Sequence, residues 1–202
     1  CAAIKPAGPP PITAIFFGAV AVIMRNPAIM CLQFRGIAVT MPYCPILATL
    51  AYVLSADGRQ VLLIHRNARD TDEHLGKYNG LGGKVEDDED VVASVRREVM
   101  EEAGIVCEKI SLRGSISWPF FGKNGEHWYG LIFLVEHFSG TPFTRNPEGD
   151  LCWVDIDKIM ELPMWDGDRQ FLPLVFDDDP RQFHGVMPYE NGKMKSLSYS
   201  RI

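Results

Sequence analysis

Residues 82–105 read GGKVEDDEDVVASVRREVMEEAGI, a glycine loop followed by an acidic segment with helical periodicity. Glu98, Glu101 and Glu102 are separated by three and four positions, so a helix places their side chains on one face. Like charges at this spacing repel each other, and a bound divalent cation relieves the repulsion more simply than protonation does. The stretch therefore predicts an acidic metal site on one helix.

The rest of the stretch predicts the boundaries of this helix and its buried side. The apolar positions at helical period are Val92, Val95, Val99 and Ala103. Gly104 predicts a left-handed residue that ends the helix. The glycines before the helix permit tight turns and close backbone approach.

This pattern resembles the Nudix box, GX5EX7REUXEEXGU, in which U is a bulky apolar residue. Every fixed position is filled, and the matching residues are Gly83, Glu89, Arg97, Glu98, Val99, Glu101, Glu102, Gly104 and Ile105. A merely solvated acidic helix needs neither the glycine loop nor an arginine at this spacing. The resemblance implies an α/β/α sandwich around a mixed β-sheet.

Turn residues divide the remaining chain into short strands and helices. The predicted strands span residues 46–54, 60–65, 110–118, 127–137, 151–156, 183–188 and 195–199, and the predicted helices span 157–162 and 168–176. Asp57 with Gly58 and Asn191 with Gly192 predict two hairpin turns. This mixture of hairpins and helices independently indicates an α+β fold and not regular βαβ units.

Composition limits the domain organisation and the class of ligand. The 202 residues are 47% hydrophobic and carry a formal charge of −6. The hydrophobic fraction is enough for a packed core. The negative charge argues against a surface that binds a nucleic-acid polymer, although a small polyphosphate could bind if metal ions screened its charge. We predict a single Nudix hydrolase domain at 41–202, and before it an extension at 1–40 that is non-functional or disordered.

Two further features bear on location. The apolar run at 12–24 is too short for a membrane span, so no membrane association is expected. The cysteines form no CxxC pair and are Cys1, Cys31, Cys44, Cys107 and Cys152. They predict reduced, mostly buried thiols in a cytoplasmic protein, which we expect to be monomeric.

The resemblance also implies a metal and its ligands. Carboxylate and carbonyl oxygens suit Mg²⁺, with Mn²⁺ as a substitute. The implied ligands are the carbonyl of Gly82 and the side chains of Glu98, Glu101, Glu102 and Glu148. Arg97 is expected to orient the glutamates, and the general base is either Glu98 or Glu148. The catalytic set is therefore Arg97, Glu98, Glu102 and Glu148.

A wider resemblance concerns the substrate. The segments YNGLGGKV at 78–85 and CWVDIDKIMELPMWDGDRQFLPLVF at 152–176 are similar to MutT-type 8-oxo-dGTP diphosphatases, including the oxidised-purine triphosphatase branch. The similarity implies hydrolysis of such triphosphates to the monophosphate and pyrophosphate, which sanitises the nucleotide pool. It also implies attack at the β-phosphorus, which the sequence itself does not show.

The implied substrate-binding residues are Thr49, Arg66, Asn79, Lys84, Trp165 and Asp168. Asn79 would read the purine edge, Trp165 would stack on the base and Asp168 would bind the altered edge. Taken singly, these three could equally be a turn residue, a core residue and a helix cap.

The chain departs from the oxidised-purine triphosphatase branch at Gly167, which replaces the first of two adjacent acids of that branch. The preference among oxidised purines could therefore differ in this protein. The alternatives are a Nudix hydrolase of ADP-ribose or dinucleoside polyphosphates, or a non-catalytic nucleotide sensor.

Overall fold

A computed structural model describes residues 42–202 and, before them, only the backbone of two short strands. These strands, β1 (Leu32–Phe34) and β2 (Ile37–Val39), form an antiparallel pair. Residues 42–202 form a compact unit of their own. The extension predicted at 1–40 lies almost wholly outside the described residues, and its role stays a prediction.

A mixed eight-stranded sheet forms the centre of the unit at 42–202. The strands of this unit are β3 (Ile46–Leu54), β4 (Gln60–His65), β5 (Tyr78–Asn79), β6 (Val106–Trp118), β7 (Trp128–Ser139), β8 (Asp150–Asp155), β9 (Phe183–Val186), β10 (Tyr189–Glu190), β11 (Lys193–Met194) and β12 (Ser198–Arg201). Their order in the sheet is β12-β9-β6-β7-β3-β4-β5, while β8 also pairs with β4 and β10 pairs separately with β11. Because β3 pairs with β7 and β6 with β9 in parallel, the predicted mixed sheet is confirmed.

Two α-helices cover opposite faces of the sheet. They are α1 (Val91–Ala103) and α2 (Asp166–Phe176), and a 3₁₀ helix (Ile156–Glu161) follows β8. Alternate residues of β3 face the two layers: Ala51 and Val53 pack in the cluster that contains α1, and Tyr52 packs in the cluster that contains α2. The predicted α/β/α sandwich is therefore confirmed. None of the helices described is both long and apolar enough to cross a bilayer.

Helix α1 has well-defined ends that position its acidic side chains. The carboxylate of Asp90 accepts hydrogen bonds from the backbone N–H groups of Val92 (2.7 Å) and Ala93 (2.9 Å). Gly104 ends the helix with φ of 69°, as predicted, a conformation that glycine adopts without steric penalty. Val95 is fully buried, whereas Val92 is 42% exposed, so its assignment to the buried stripe was wrong.

Several predicted elements differ at their ends or in type. The segment predicted as a helix at 157–162 is the 3₁₀ helix, and α2 begins at Asp166, which puts Asp168 inside its first turn. The turn at Asn191 joins β10 to β11, while β9 pairs with β12 outside them. Pro188 separates β9 from β10 because it has no N–H to donate to a strand ladder. In place of the predicted long hairpin, the structure has a short hairpin, β10–β11, and a separate strand pair, β9–β12, outside it.

The described cysteines are free thiols in different environments. Cys107 is buried, Cys152 is half-buried and Cys44 is exposed. The expectation of mostly buried cysteines therefore holds for Cys107 but is wrong for Cys44.

Candidate active site

The glycine loop lies directly against α1 and β3. The N–H of Gly82 donates to the Glu102 carboxylate at 2.8 Å, and the carbonyl of Gly83 accepts from the N–H of Thr49 at 2.8 Å. Gly82 has φ of 139°, and a β-carbon there would collide with the carbonyl of Thr49. A β-carbon on Gly83 would likewise collide with the Glu98 carboxylate. Glycine at both positions is what lets the loop reach the acids.

Arg97 contacts three of the box glutamates. Its guanidinium donates to both carboxylate oxygens of Glu89, at 2.6 and 2.9 Å, in a bidentate pair. It also donates to Glu98 at 2.9 Å and, at the longer distance of 3.3 Å, to Glu101. This pairing limits the orientations that the Glu98 carboxylate can adopt.

Glu102 is the carboxylate with the most perturbed environment in this group. Its pKa is raised to about 8, mainly by burial and to a smaller extent by the neighbouring charges of Glu148 and Glu98, while the Gly82 N–H and Arg66 oppose the shift. Burial also raises the pKa of Glu98. The charges of Glu98 and Glu148 both act on Glu102, and a divalent cation would stabilise the ionised form of this donor set.

Glu148 is held near Glu102 by a tight loop. Glu148 forms an ion pair with Arg66, which is also bound to Asp72 at 2.8 Å. The side chain of Asn146 accepts from the N–H of Glu148 at 2.8 Å and donates to the backbone carbonyl of Glu102 at 3.1 Å. Asn146 was not among the residues predicted from sequence, although its position two residues before Glu148 is typical of an Asx turn.

Glu101 does not join the other acids. Its side chain is 60% exposed, and its polar contact is Arg97. Within residues 42–202, no three His, Cys, Asp or Glu side chains already stand close enough together to hold a metal ion. Glu98, Glu102 and Glu148 are nevertheless hard oxygen donors that repel one another, which is the chemistry that Mg²⁺ or Mn²⁺ fits.

A cleft of about 500 Å³ opens beside the acids. Four of the six predicted substrate-binding residues line it, namely Thr49, Arg66, Asn79 and Lys84. Gly82 also lines it. Gly82 contacts Glu102, and Arg66 contacts Glu148. The acids therefore lie behind one wall of the cleft.

An aromatic wall of the cleft was not predicted from the sequence. It consists of Trp118, Phe121 and Trp128, and Lys84 lies 5.4 Å from the ring centroid of Trp128. Trp118 and Trp128 face each other across β6 and β7. The sequence did contain a signal for this wall, because several aromatic residues flank the β6–β7 turn. Solvent-exposed turns are usually polar, so such a cluster indicates a binding surface.

Two polar atoms buried at this cleft have no hydrogen-bond partner in the protein. They are the acceptor Oδ1 of Asn79 and the donor Nε1 of Trp128. Buried polar groups are normally paired, so these two atoms retain unused hydrogen-bonding capacity beside the cleft.

The structure does not place Trp165 and Asp168 on the cleft wall. The indole N–H of Trp165 donates to His74 at 2.8 Å, and its ring contacts Phe121 edge-on at 6.2 Å. His74 and Phe121 line the cleft, so Trp165 lies one residue behind them. Burial raises the pKa of Asp168 to about 7, which leaves this half-buried acid partly protonated at neutral pH.

The departure at Gly167 has a steric explanation. Gly167 is buried in the first turn of α2, and a β-carbon there would collide with the hydroxyl of Tyr189 and lie 2.8 Å from the sulfur of Met187. An acid at this position would therefore have no space. Asp166 is exposed, so it does not replace the missing acid in the interior.

Comparison with known proteins agrees with this fold. The model of the NUDIX domain matches residues 45–175, more than half of the chain, which therefore belongs to the Nudix hydrolase family. The chain is 33% identical over 115 residues to the oxidized purine nucleoside triphosphate hydrolase of Danio rerio, covering 57% of this chain and 71% of that protein. It is 32% identical over 151 residues to the uncharacterized Nudix hydrolase YvcI of Bacillus subtilis, covering 73% and 89%. The crystal structure of the MutT protein of Bacillus halodurans superimposes with a TM-score of 0.66 at 29% identity, covering 77% and 97%.

Proposed function

We propose that this Nudix hydrolase is a Mg²⁺-dependent pyrophosphohydrolase of oxidised purine nucleoside triphosphates such as 8-oxo-dGTP. The observation that carries the proposal is the carboxylate of Glu102, which lies with the acids Glu98 and Glu148 behind the wall of a nucleotide-sized cleft and whose pKa is raised mainly by burial and in part by the charges of these two acids. The products would be the nucleoside monophosphate and pyrophosphate, so the enzyme would sanitise the nucleotide pool. A monomer in the cytoplasm would suit this role.

Glu98, Glu102, Glu148 and the carbonyl of Gly82 would hold the ion, with Mn²⁺ as a substitute. Glu101 could join them only through a different rotamer, since its side chain points to solvent. When bound, the ion supplies Lewis-acid stabilisation and makes a water molecule more acidic.

The chain's own side chains hold this arrangement. Arg97 keeps Glu98 against the glycine loop, and Arg66 with Asn146 keeps Glu148 beside Glu102. Either Glu98 or Glu148 would take the proton of the attacking water. Both are ion-paired, Glu98 with Arg97 and Glu148 with Arg66.

The cleft offers complementary contacts for a purine nucleotide. The unpaired Oδ1 of Asn79 would accept from a base N–H, and the aromatic wall would stack on the ring. Lys84, Arg66 and Thr49 would lie near the phosphates and the sugar. Trp165 and Asp168 would act from behind the wall, Trp165 by positioning His74 and Phe121.

The decisive experiment compares kcat/KM for 8-oxo-dGTP and dGTP under saturating Mg²⁺. We expect kcat/KM for 8-oxo-dGTP to exceed that for dGTP by well over 10-fold. Asn79→Ala removes the amide that would contact the base, and it should lower kcat/KM for 8-oxo-dGTP by about 10-fold or more. Gln170→Ala removes an exposed side-chain amide outside the cleft and is the matched control. A ratio near one in the wild type would contradict the sanitation role. Faster hydrolysis of ADP-ribose in the same panel would favour that alternative.

A further inference from the structure

His74 lines the cleft, and its contact with Trp165 fixes where the proton of its ring lies. His74 belongs to the loop between β4 and β5. The indole N–H of Trp165 donates to its Nδ1 at 2.8 Å. An indole nitrogen can only donate, so Nδ1 must be the acceptor of this hydrogen bond. A neutral imidazole carries one proton, and the contact therefore places that proton on Nε2.

The surroundings of His74 keep its ring neutral. Its pKa is lowered mainly by burial. The positive charges of Arg66 and Lys77 add to this shift. The negative charges of Asp72 and Glu73 oppose it. The indole N–H that approaches Nδ1 also disfavours protonation, because a charged ring would need a second N–H at that atom. His74 is therefore a neutral hydrogen-bond donor at neutral pH.

The donor atom of His74 faces away from Trp165, because the two ring nitrogens lie on opposite sides of an imidazole. Trp165 stands behind the cleft wall, so Nε2 is directed to the cleft side of the ring. In the part of the chain that the structure describes, the bond from Trp165 is the one hydrogen bond of this ring. The N–H on Nε2 is thus available to a ligand.

His74 lies between the acids and the aromatic wall. Its backbone N–H donates to the Asp72 carboxylate at 2.9 Å, and Arg66 donates to the other oxygen of this carboxylate at 2.8 Å. Arg66 in turn pairs with one of the acids. On the other side, Trp165 contacts Phe121 of the aromatic wall edge-on. This is the region between the phosphates and the stacked base of a bound nucleotide.

The cleft also offers an acceptor that complements this donor. The Oδ1 atom of Asn79 has no partner in the protein. A donor at His74 and an acceptor at Asn79 match a carbonyl oxygen that stands next to an N–H group. Guanine has such a pair at O6 and N1, and 8-oxo-purines have one at O8 and N7, whereas adenine has neither. Phosphate oxygens are anionic and are better matched by the charged Arg66 and Lys84.

We propose that the Nε2–H group of His74 donates a hydrogen bond to a carbonyl oxygen of the bound purine, and that Trp165 positions His74 for this contact by holding the proton on Nε2. The proposal rests on the proposed function, because it takes the cleft to hold a purine nucleotide. It makes His74 a determinant of base specificity. It makes Trp165 a positioning residue that does not itself touch the base.

The test uses three nucleotides that differ in their carbonyl groups. The base of dATP has no carbonyl, that of 8-oxo-dATP has O8 alone, and that of dGTP has O6 alone. Each kcat/KM is divided by the value for dATP with the same protein variant, which removes losses common to all three. We expect His74→Ala to lower this ratio about 3-fold to 10-fold for the compound whose carbonyl is bound, the size of one neutral hydrogen bond. The affected compound identifies the oxygen.

Three further variants separate the contact from a general loss of structure. His74→Gln carries an amide N–H that reaches the position of Nε2, and it retains at least about half of the wild-type ratio. His137→Ala changes an exposed histidine outside the cleft and leaves the ratio unchanged. Trp165→Phe keeps a ring beside Phe121 but removes the N–H, and it lowers the ratio about twofold to threefold. Dissociation constants measured in a Glu102→Gln background give the same ratios without turnover.

Nitrogen-15 NMR of the protein without nucleotide reads the tautomer directly. The signals of His74 are identified by their loss in His74→Gln. We expect them to show a bare Nδ1 and a protonated Nε2 at about pH 7.5, and Trp165→Phe to populate both tautomers.

A proton on Nδ1 in the wild type overturns the proposal, and so do ratios for dGTP and 8-oxo-dATP that His74→Ala leaves unchanged. Equal kcat/KM values for 8-oxo-dGTP and dGTP would instead contradict only the proposed preference for oxidised purines, because dGTP itself tests the contact to O6.

Discussion

The buried carboxylate of Glu102 makes a specific prediction about stability and pH. Replacing it in Glu102→Gln keeps the shape of the side chain and an oxygen that can accept from the N–H of Gly82. The variant cannot ionise. We therefore expect it to be more stable than the wild type in the absence of metal, by an amount that grows as the pH rises.

The magnitude follows from the shift in pKa. Folding raises the pKa of Glu102 from its usual 4.5 to about 8, so between these values the folded protein binds more protons than the unfolded chain. Stability of the wild type therefore falls as the pH rises through this window. Each unit corresponds to about 1.4 kcal/mol, so between pH 5.5 and 8.5 the advantage of Glu102→Gln grows by about 3 kcal/mol.

The assay is urea unfolding in EDTA at pH 5.5, 7.0 and 8.5, with the free energies of unfolding of variant and wild type subtracted at each pH. Subtraction removes the titration of groups that both proteins share. Glu101→Gln removes a carboxylate from the same helix at a side chain that is 60% exposed, and its difference from the wild type stays within about 0.5 kcal/mol. Added Mg²⁺ raises the stability of the wild type at pH 8.5 and not that of Glu102→Gln, because the ion binds the ionised acid.

A difference between Glu102→Gln and wild type that does not change with pH would refute the reasoning about burial and neighbouring charge. The same variant is expected to lose at least about 100-fold in kcat. Full activity of a folded Glu102→Gln protein would contradict the proposed metal site.

Two other substitutions test the support of the site. Arg97→Ala leaves the carboxylates of Glu89 and Glu98 without their partner, and we expect it to lower kcat about 10-fold to 100-fold in steady-state assays. The control, Arg96→Ala, changes an exposed arginine of the same helix and should have little effect. Equal losses of kcat in the two variants would argue that Arg97 does not position Glu98. Gly167→Asp forces a side chain against the Tyr189 hydroxyl and lowers the free energy of unfolding by about 1–3 kcal/mol, measured by thermal denaturation. Tyr189→Phe in the same chain should recover part of that loss, and no recovery would place the collision elsewhere.

The parts of the fold that followed from the sequence depend on neighbouring residues. The end of α1 at Gly104 and the hairpin between β3 and β4 are set by local capping and turn chemistry. The pattern of the Nudix box was similarly local, since Glu98 and Glu102 share one helix face wherever the helix lies.

The residues that the sequence did not reveal depend on long-range packing. Trp118 and Trp128 form a cleft wall only because the register of β6 and β7 places them opposite each other. Trp165 was expected to stack on the base, but its indole N–H is instead satisfied by His74, and this contact holds it behind the wall. Glu101 points to solvent because the glycine loop packs against Glu98 and Glu102 and leaves Glu101 uncovered. No local pattern contains this information.

The parallel pairing of β3 with β7 has a consequence for biosynthesis. Ile46 aligns with Trp128 and Val53 with Val135, so the glycine loop and α1 both lie within the chain segment that this pairing closes. Closing so long a segment is entropically unfavourable and slow. A nascent chain must therefore extend beyond β7 before β3 gains its neighbour, and until then β3 presents an open edge to other chains. Translation arrested earlier would yield an aggregation-prone intermediate that needs chaperones, not a smaller working enzyme.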